Sequence, residues 1–286
     1  MKSLFTMCVI LTTLIAGCGS ASKSPTTQGV FADAPVVGVT YTCGTQTGVT
    51  GTGGTYTCTT GSKVTFSVGA ITLCSATART FMTPLSCAQA TDSSANTSTA
   101  SVLATVQFLQ SISTTPASSG ELTITSSELT AAANVTVDFA TATQSQLLAA
   151  VDAVAGGATP LVPAATAQTQ FNSTVLSGLS GSYSGTITCL TACSGTPGSV
   201  SGTWSATVTT SGSLSGTAFP TGEGSCSVSG QLVTGVVFSG TAVCSKAIWQ
   251  GTVDTSQSPT TFSGVWADTT DSVVLPSNLD SQGLVF

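Results

Sequence analysis

Tyr183-Ser184-Gly185-Thr186-Ile187, Val200-Ser201-Gly202-Thr203-Trp204 and Phe238-Ser239-Gly240-Thr241-Ala242 spell one unit. An apolar residue is followed by Ser, Gly, Thr and a second apolar residue. Variants of it stand at Trp204-Ser205-Ala206-Thr207-Val208, Leu214-Ser215-Gly216-Thr217-Ala218, Trp249-Gln250-Gly251-Thr252-Val253 and Phe262-Ser263-Gly264-Val265-Trp266. Read with period two, the unit puts large, small, large on one face and hydroxyls on the other. A large residue opposite a neighbouring strand's glycine fills the space that the glycine leaves. Thr210-Ser211-Gly212 and Thr221-Gly222-Glu223-Gly224 supply turns between units. The spacing is that of a meander, not a solenoid of fixed long period. Residues 179–286 therefore read as roughly six to eight antiparallel strands closing into a barrel or flattened sandwich. The outward face is Ser and Thr where a lipid-facing barrel needs aliphatics, so insertion into a bilayer is not expected.

The same alternation fixes a register. Cys226, Val228, Gly230 and Leu232 share a face, as do Phe238, Gly240, Ala242 and Cys244. Folded about Gly235, Leu232 faces Phe238, Gly230 faces Gly240 and Cys226 faces Cys244. Directly opposed residues lie about 4.5–5.5 Å apart, which is within disulfide reach.

Upstream, residues 31–92 contain period-two runs, among them Val37 to Cys43, Tyr56 to Thr60 and Val64 to Val68, separated by turn residues. They predict a small antiparallel β-sandwich. Val36-Val37-Gly38-Val39 with Gly51-Thr52-Gly53-Gly54-Thr55-Tyr56 resembles the carboxypeptidase-regulatory or transthyretin-like β-sandwich module. Gly53-Gly54 stands where that module often has Asp-Gly. The string from Phe31 to Leu73 also resembles the N-terminal part of large uncharacterised bacterial lipoproteins. Neither resemblance implies a catalytic residue.

Residues 93–178 are richer in Ala and Gln and read as a short helical connecting segment. Asn96 and Thr97 are placed to cap a helix carrying Val102, Leu103, Val106, Leu109 and Ser113 on one side. A second helix runs from Ser145 through Val151 and Val154 to a stop at Gly156. A third starts near Pro163 and aligns Ala164, Ala167, Phe171 and Val175. Leu122 to Thr125 and Val135 to Phe139 look extended. The apolar helix faces are expected to cover one sheet. The fold class is thus mainly β, with a helical segment between sandwich and meander.

At the N-terminus, Lys2 and an apolar run from Leu4 to Ile15 have the layout of a secretory signal over residues 1–17. The run is too short for an ordinary transmembrane span. Ile15-Ala16-Gly17-Cys18 resembles the bacterial lipobox, which implies a lipid-modified (palmitoylated) Cys18 as the mature N-terminus. Gly19 stands where an Asp would oppose sorting to the outer membrane, so a lipid anchor in the cell outer membrane is the expected address. Residues 18–30 read as a polar tether. Ser20-Ala21-Ser22-Lys23 matches the S-x-x-K motif of penicillin-recognising enzymes, but without its companion motifs it carries no chemistry.

The chain has 10 cysteines. Removing Cys8 with the signal and Cys18 with the lipid leaves eight, which in an exported chain read as disulfides. Besides Cys226–Cys244, a hairpin through the Gly-rich turn at Gly48 to Gly54 would oppose Cys43 and Cys58. Cys74–Cys87 and Cys189–Cys193 follow as local pairs. A cross-pairing with Cys226 and Cys244 is the rival for Cys189 and Cys193, and a C-x3-C metal site is the other alternative.

Only 5 Lys+Arg and 11 Asp+Glu occur, His is 0 and the net charge is −6. His-based triads, imidazole shuttles and His-ligated metals are excluded, and nucleic acid is a poor partner. No G-x-S-x-G elbow, Walker loop or G-x-G-x-x-G exists. The acids are scattered. Asp268 and Asp271 beside Trp266 lack an EF-hand pattern and read as a solvated turn, not as calcium ligands. Trp204, Trp249 and Trp266 offer either a carbohydrate-stacking platform or core, and the repeat points all three inward. The expectation is a non-enzymatic envelope lipoprotein without cofactor, with a structural or adhesive role and an envelope protein or glycan as partner. A small-ligand or glycan-binding module is the second reading, and a carboxylate-dependent hydrolase the third.

Overall fold

A computed structural model describes residues 25–189, 200–221, 224–234, 237–242, 247–255, 261–268 and 284–285. The N-terminal strands are β1 (Thr26–Phe31), β2 (Val36–Val37), β3 (Thr40–Cys43), β4 (Gln46–Val49), β5 (Thr55–Thr59), β6 (Lys63–Val68), β7 (Ile71–Thr77) and β8 (Phe81–Met82). They form a four-stranded antiparallel sheet, β4-β3-β6-β7, and a three-stranded sheet, β5-β1-β8. Alternation supplies the facing layers: Val64, Phe66 and Val68 are buried along β6, and Tyr56 and Cys58 along β5. Phe31 of β1 stacks on Phe66 of β6 at 4.2 Å, and Tyr56 meets Phe66 edge-on at 5.0 Å. This aromatic layer is the seam of the sandwich.

Three details differ from the sequence expectation. Residues 26–30, read as tether, belong to β1, which pairs with β5 on one side and β8 on the other. Their polar side chains are the exposed half of an alternating strand, and polarity alone made them look like linker. Cys43 and Cys58 do not oppose each other across one hairpin. Cys43 turns directly into β4, through Gly44 at φ 59°, with Gln46 as its partner. Cys58 lies in the other sheet, opposite Thr27. Their bridge, with Cα atoms 5.6 Å apart, therefore ties the two sheets together. Finally, β8 joins β1 in parallel, and β2 pairs in parallel with β9 (Leu122–Thr123); local alternation carries no signal for such distant pairings.

The helices are α1 (Pro84–Gln89), α2 (Ala100–Ile112), α3 (Ser126–Ala131), α4 (Gln144–Ala155) and α5 (Ala164–Leu179). Thr83, Thr125 and Thr143 each close a capping box, giving the first turns partners for their orphan N–H groups. Gly156 ends α4 at φ 76°, where a side chain would strain the backbone. Helix α2 starts after Thr99, not at Asn96, whose side-chain Oδ1 accepts from the Ser98 N–H in a lead-in turn. The stretch 135–139 is irregular, not a strand, and places Phe139 against Phe108 at 5.5 Å.

Helix α2 sits between two cores. Ala104, Phe108, Leu109 and Ile112 pack into the sandwich cluster, while Val102 and Val106 pack with Leu85 of α1, with Ala167, Phe171, Val175 and Leu179 of α5, and with residues of the C-terminal barrel. Its polar residues Gln107, Gln110 and Ser111 are buried as well. Gln107 donates to Val162 O, and Ser111 accepts from Val162 N–H, which pins the segment entering α5.

The C-terminal strands are β10 (Gly181–Cys189), β11 (Val200–Val208), β12 (Ser213–Pro220), β13 (Cys226–Thr234), β14 (Val237–Ala242), β15 (Ala247–Asp254), β16 (Thr261–Asp268) and β17 (Leu284–Val285). Each pairs antiparallel with the next, and the short β17 bridges β16 and β10, closing the barrel. Gly230 lies opposite Gly240 and Leu232 opposite Phe238. Large residues face neighbouring glycines: Trp204 opposite Gly185, Trp249 opposite Gly240, Phe238 opposite Gly251.

Candidate functional site

The barrel offers two surfaces for chemistry, its interior and its outer face. Inside, Ile187, Ala206, Val208, Leu214, Ala218, Phe238, Trp249 and Phe262 are buried. Phe262 is the hub, with ring centroids 5.7 Å from Trp204, 5.9 Å from Phe238 and 6.1 Å from Trp249. The cavity left among Ile187, Trp204, Leu214, Ala218, Trp249 and Phe262 measures about 20 Å³. That is room for about one water, so around these residues the interior is packed core. Trp249 is 1% exposed, with its indole N–H donating to Ser229 O at 3.2 Å. Trp204 is half-buried beside it. Trp266 contributes its backbone to β16, opposite Trp249.

Outside, the register aligns hydroxyls into ranks. One runs Ser182, Thr207, Ser215, Ser229, Thr241 across five consecutive strands, and the next runs Ser184, Ser205, Thr217, Ser227 across four. Neighbouring members stand about 4.8 Å apart, the distance between paired strands. Strands β10 to β14 contain no charged residue. At one end of this face Phe219 lies beside Thr203 in register and is 51% exposed. Period two carries its signal, since Leu214, Gly216 and Ala218 point inward and Phe219 must then point out. Attention to the tryptophans alone misses it.

Away from the barrel, a cleft of about 410 Å³ is bordered by the Cys74–Cys87 bridge, Thr105, Asp138 and Phe139. Another of about 360 Å³ lies across the 135–138 ridge, against α4. The Asp138 carboxylate is engaged locally, accepting from Ala140 N–H and the Thr141 hydroxyl at 3.0 Å each. Among the described residues no three His, Cys, Asp or Glu side chains converge as metal ligands. No helix among them is long and apolar enough to cross a membrane.

The sulfurs fall as follows. Cys43–Cys58 and Cys74–Cys87 are disulfides, and Cys226 is disulfide-bonded. Cys189 ends β10. Cys18, Cys193 and Cys244 lie outside the described residues, as does Asp271.

One carboxylate is in an unusual setting. Asp33, between β1 and β2, is fully buried, and its burial pushes its carboxyl well above the usual range, against a smaller opposing effect from its Gln110 hydrogen bond. Tyr56 is pushed up to about 12, mainly by burial, although its hydroxyl donates to Arg79 O. At the barrel junction, Gln89 Oε1 accepts from Thr255 N–H at 3.0 Å and from the Thr255 hydroxyl, and Arg79 Nη1 donates to Thr255 O at 2.6 Å. This polar pin joins β15's end to α1 and to the turn before β8. No protein-family model matches this sequence, and neither does a curated protein or a solved structure.

Proposed function

We propose that this is a lipid-anchored protein of the bacterial cell envelope, held through Cys18, whose folded body serves a structural or adhesive role without catalysis. The observation that carries the reading is Ile15-Ala16-Gly17-Cys18 at the end of a short apolar run. Support comes from the body that follows. Among the described residues its first strand starts at Thr26, it is stapled by disulfides suited to an oxidising compartment, and it shows an uncharged hydroxyl face. The full-length chain, expressed in a bacterium that processes lipoproteins, is expected to incorporate a palmitate analogue and to fractionate with membranes. Cys18→Ser should abolish both. An unlabelled, soluble full-length chain overturns the anchor.

Phe219 favours a second reading for the same body, the binding of a neutral glycan on the outer face of β10 to β12. An exposed aromatic ring flanked by hydroxyls is suited to stacking on a sugar while hydrogen-bonding its rim. On a glycan array, Phe219→Ala should lose binding at unchanged thermal stability. Equal binding by both proteins, or by neither, removes this reading.

A further inference from the structure

The turn leaving β1, Ala32-Asp33-Ala34-Pro35, is closed by a bridge between Ala32 and Pro35 and passes through a φ of 30° at Ala34. It is inserted against two helices. Ala34 N–H donates to Thr174 Oγ1 of α5 at 3.2 Å, and Asp33 Oδ1 accepts from Gln110 Nε2 of α2 at 3.1 Å. The same Nε2 donates to Ala167 O of α5 at 3.3 Å. Asp33 is 0% exposed and Gln110 is 6% exposed. Both donor hydrogens of the amide are therefore engaged, and two oxygens of the pair remain: Asp33 Oδ2 and Gln110 Oε1, buried and without a donor. With Asp33 ionised, one carboxylate oxygen and one carbonyl oxygen would lie in a dry junction with no hydrogen for either, the costliest way to bury polar atoms. Neither α2 nor α5 contains a titratable residue, and no charged side chain among the described residues acts on Asp33.

A single proton removes the conflict. We propose that Asp33 is a neutral carboxylic acid in the native fold, its O–H donating to Gln110 Oε1 while its carbonyl oxygen accepts from Gln110 Nε2. The acid and amide then pair along both edges, and the turn is latched between α2 and α5. Ionisation, with the proton leaving to water, unlatches it. The sign follows from proton linkage. The folded chain keeps a proton that the unfolded chain has lost above about pH 4, so stability falls as pH rises from there to the native pKa, about tenfold in the folding equilibrium per pH unit. Asp92 and Glu128 act in the opposite sense. Hydrogen bonds from Ser94 hold Asp92 low; burial raises Glu128, but hydrogen bonds from Thr125 and from its own backbone together hold it below its usual value, so both contributions are lost in acid.

The test is thermal unfolding of the disulfide-intact chain from pH 4 to pH 9, with infrared spectra at neutral pH, for the wild type and Asp33→Asn. Asn supplies the missing donor without a titrating proton. The wild-type Tm should fall with rising pH above about 4. Asp33→Asn should flatten that slope and melt higher than the wild type at pH 7. The wild type should also show the carbonyl band of a protonated acid at pH 7, absent from the variant. If the variant does not fold, the wild-type band alone decides. No such band at pH 7, or a variant with the wild-type slope and a lower Tm, overturns the proposal. So does a wild-type Tm that rises with sodium but not with choline, which would put a cation between the two oxygens.

Discussion

At the scale of single residues, small side chains in this protein make room for large ones. Gly230 is the clearest instance. A Cβ built on it would lie 2.3 Å from the Trp249 ring and 2.8 Å from Ser239 O. Trp249 is held in the barrel core and cannot retreat, so Gly230→Ala should destabilise by about 1–3 kcal/mol through overpacking. Gly157, which follows α4, has nothing within 4 Å of a built Cβ, and Gly157→Ala should leave stability within about 0.5 kcal/mol. Urea titrations of both variants check the pair, and equal effects would show that the Gly230 contact is not what matters. This level was partly legible. The large–small alternation announced that glycines would face aromatics, and parity alone set Gly230 opposite Gly240 and Leu232 opposite Phe238. Asp33 was not legible, because nothing local separates a buried aspartate in a turn from a solvated one. Its burial comes from helices more than seventy positions away.

At the scale of elements, the end of α4 and the start of α5 were written in the chain and the helix surroundings were not. Pro163 before α5 and Gly156 after α4 are start and stop signals, respectively, that act through backbone dihedrals. Thr143 and Gln146 form the capping box of α4 through Thr143 Oγ1 and Gln146 Oε1. Thr143→Ala should cost about 1 kcal/mol in chemical denaturation, and no loss would mean that α4 is held by packing alone. Helices α1 and α3 were missed. Each is only six residues long, too short to show a period, and the Thr125–Glu128 box was the available signal for the second. Helix α2 misleads differently. A one-sided apolar stripe was expected, yet the helix feeds both cores, and Gln107 and Gln110 are buried through hydrogen bonds to distant backbone. A glutamine's address depends on which carbonyls tertiary packing brings to it.

At the scale of the whole molecule, covalent and polar ties hold together what alternation builds. The Cys43–Cys58 bridge closes a separation of 15 residues and joins the two sheets of the sandwich. Replacing both cysteines by serine should cost about 3 kcal/mol, mostly by freeing the unfolded chain. A matched denaturation series under oxidising conditions measures it. The pin at Thr255 joins the barrel to α1. Gln89→Leu removes the acceptor shared by the Thr255 N–H and hydroxyl, leaving two buried donors, and should cost about 1–3 kcal/mol. Because the second apolar cluster runs from α1, α2 and α5 into the barrel, barrel and helices should melt in one transition. Two separate calorimetric transitions would contradict that continuity.

Certain features needed only the sequence. The mainly β class, the strand alternation, the closing meander with its hydroxyl exterior, the stop of α4 and the start of α5 depend on period, backbone dihedrals and side-chain volume, which are local properties. Scarcity of charge and the lack of histidine likewise bounded the chemistry before any fold was known. Tertiary structure decided what no local rule reaches. It set the parallel joining of β8 to β1 and of β2 to β9, the division of β3 and β5 between two sheets, and the burial of α2 on nearly every side. It also placed Asp33 against Gln110. These depend on which distant segments share a dry interface, and an interface belongs to the folded chain as a whole.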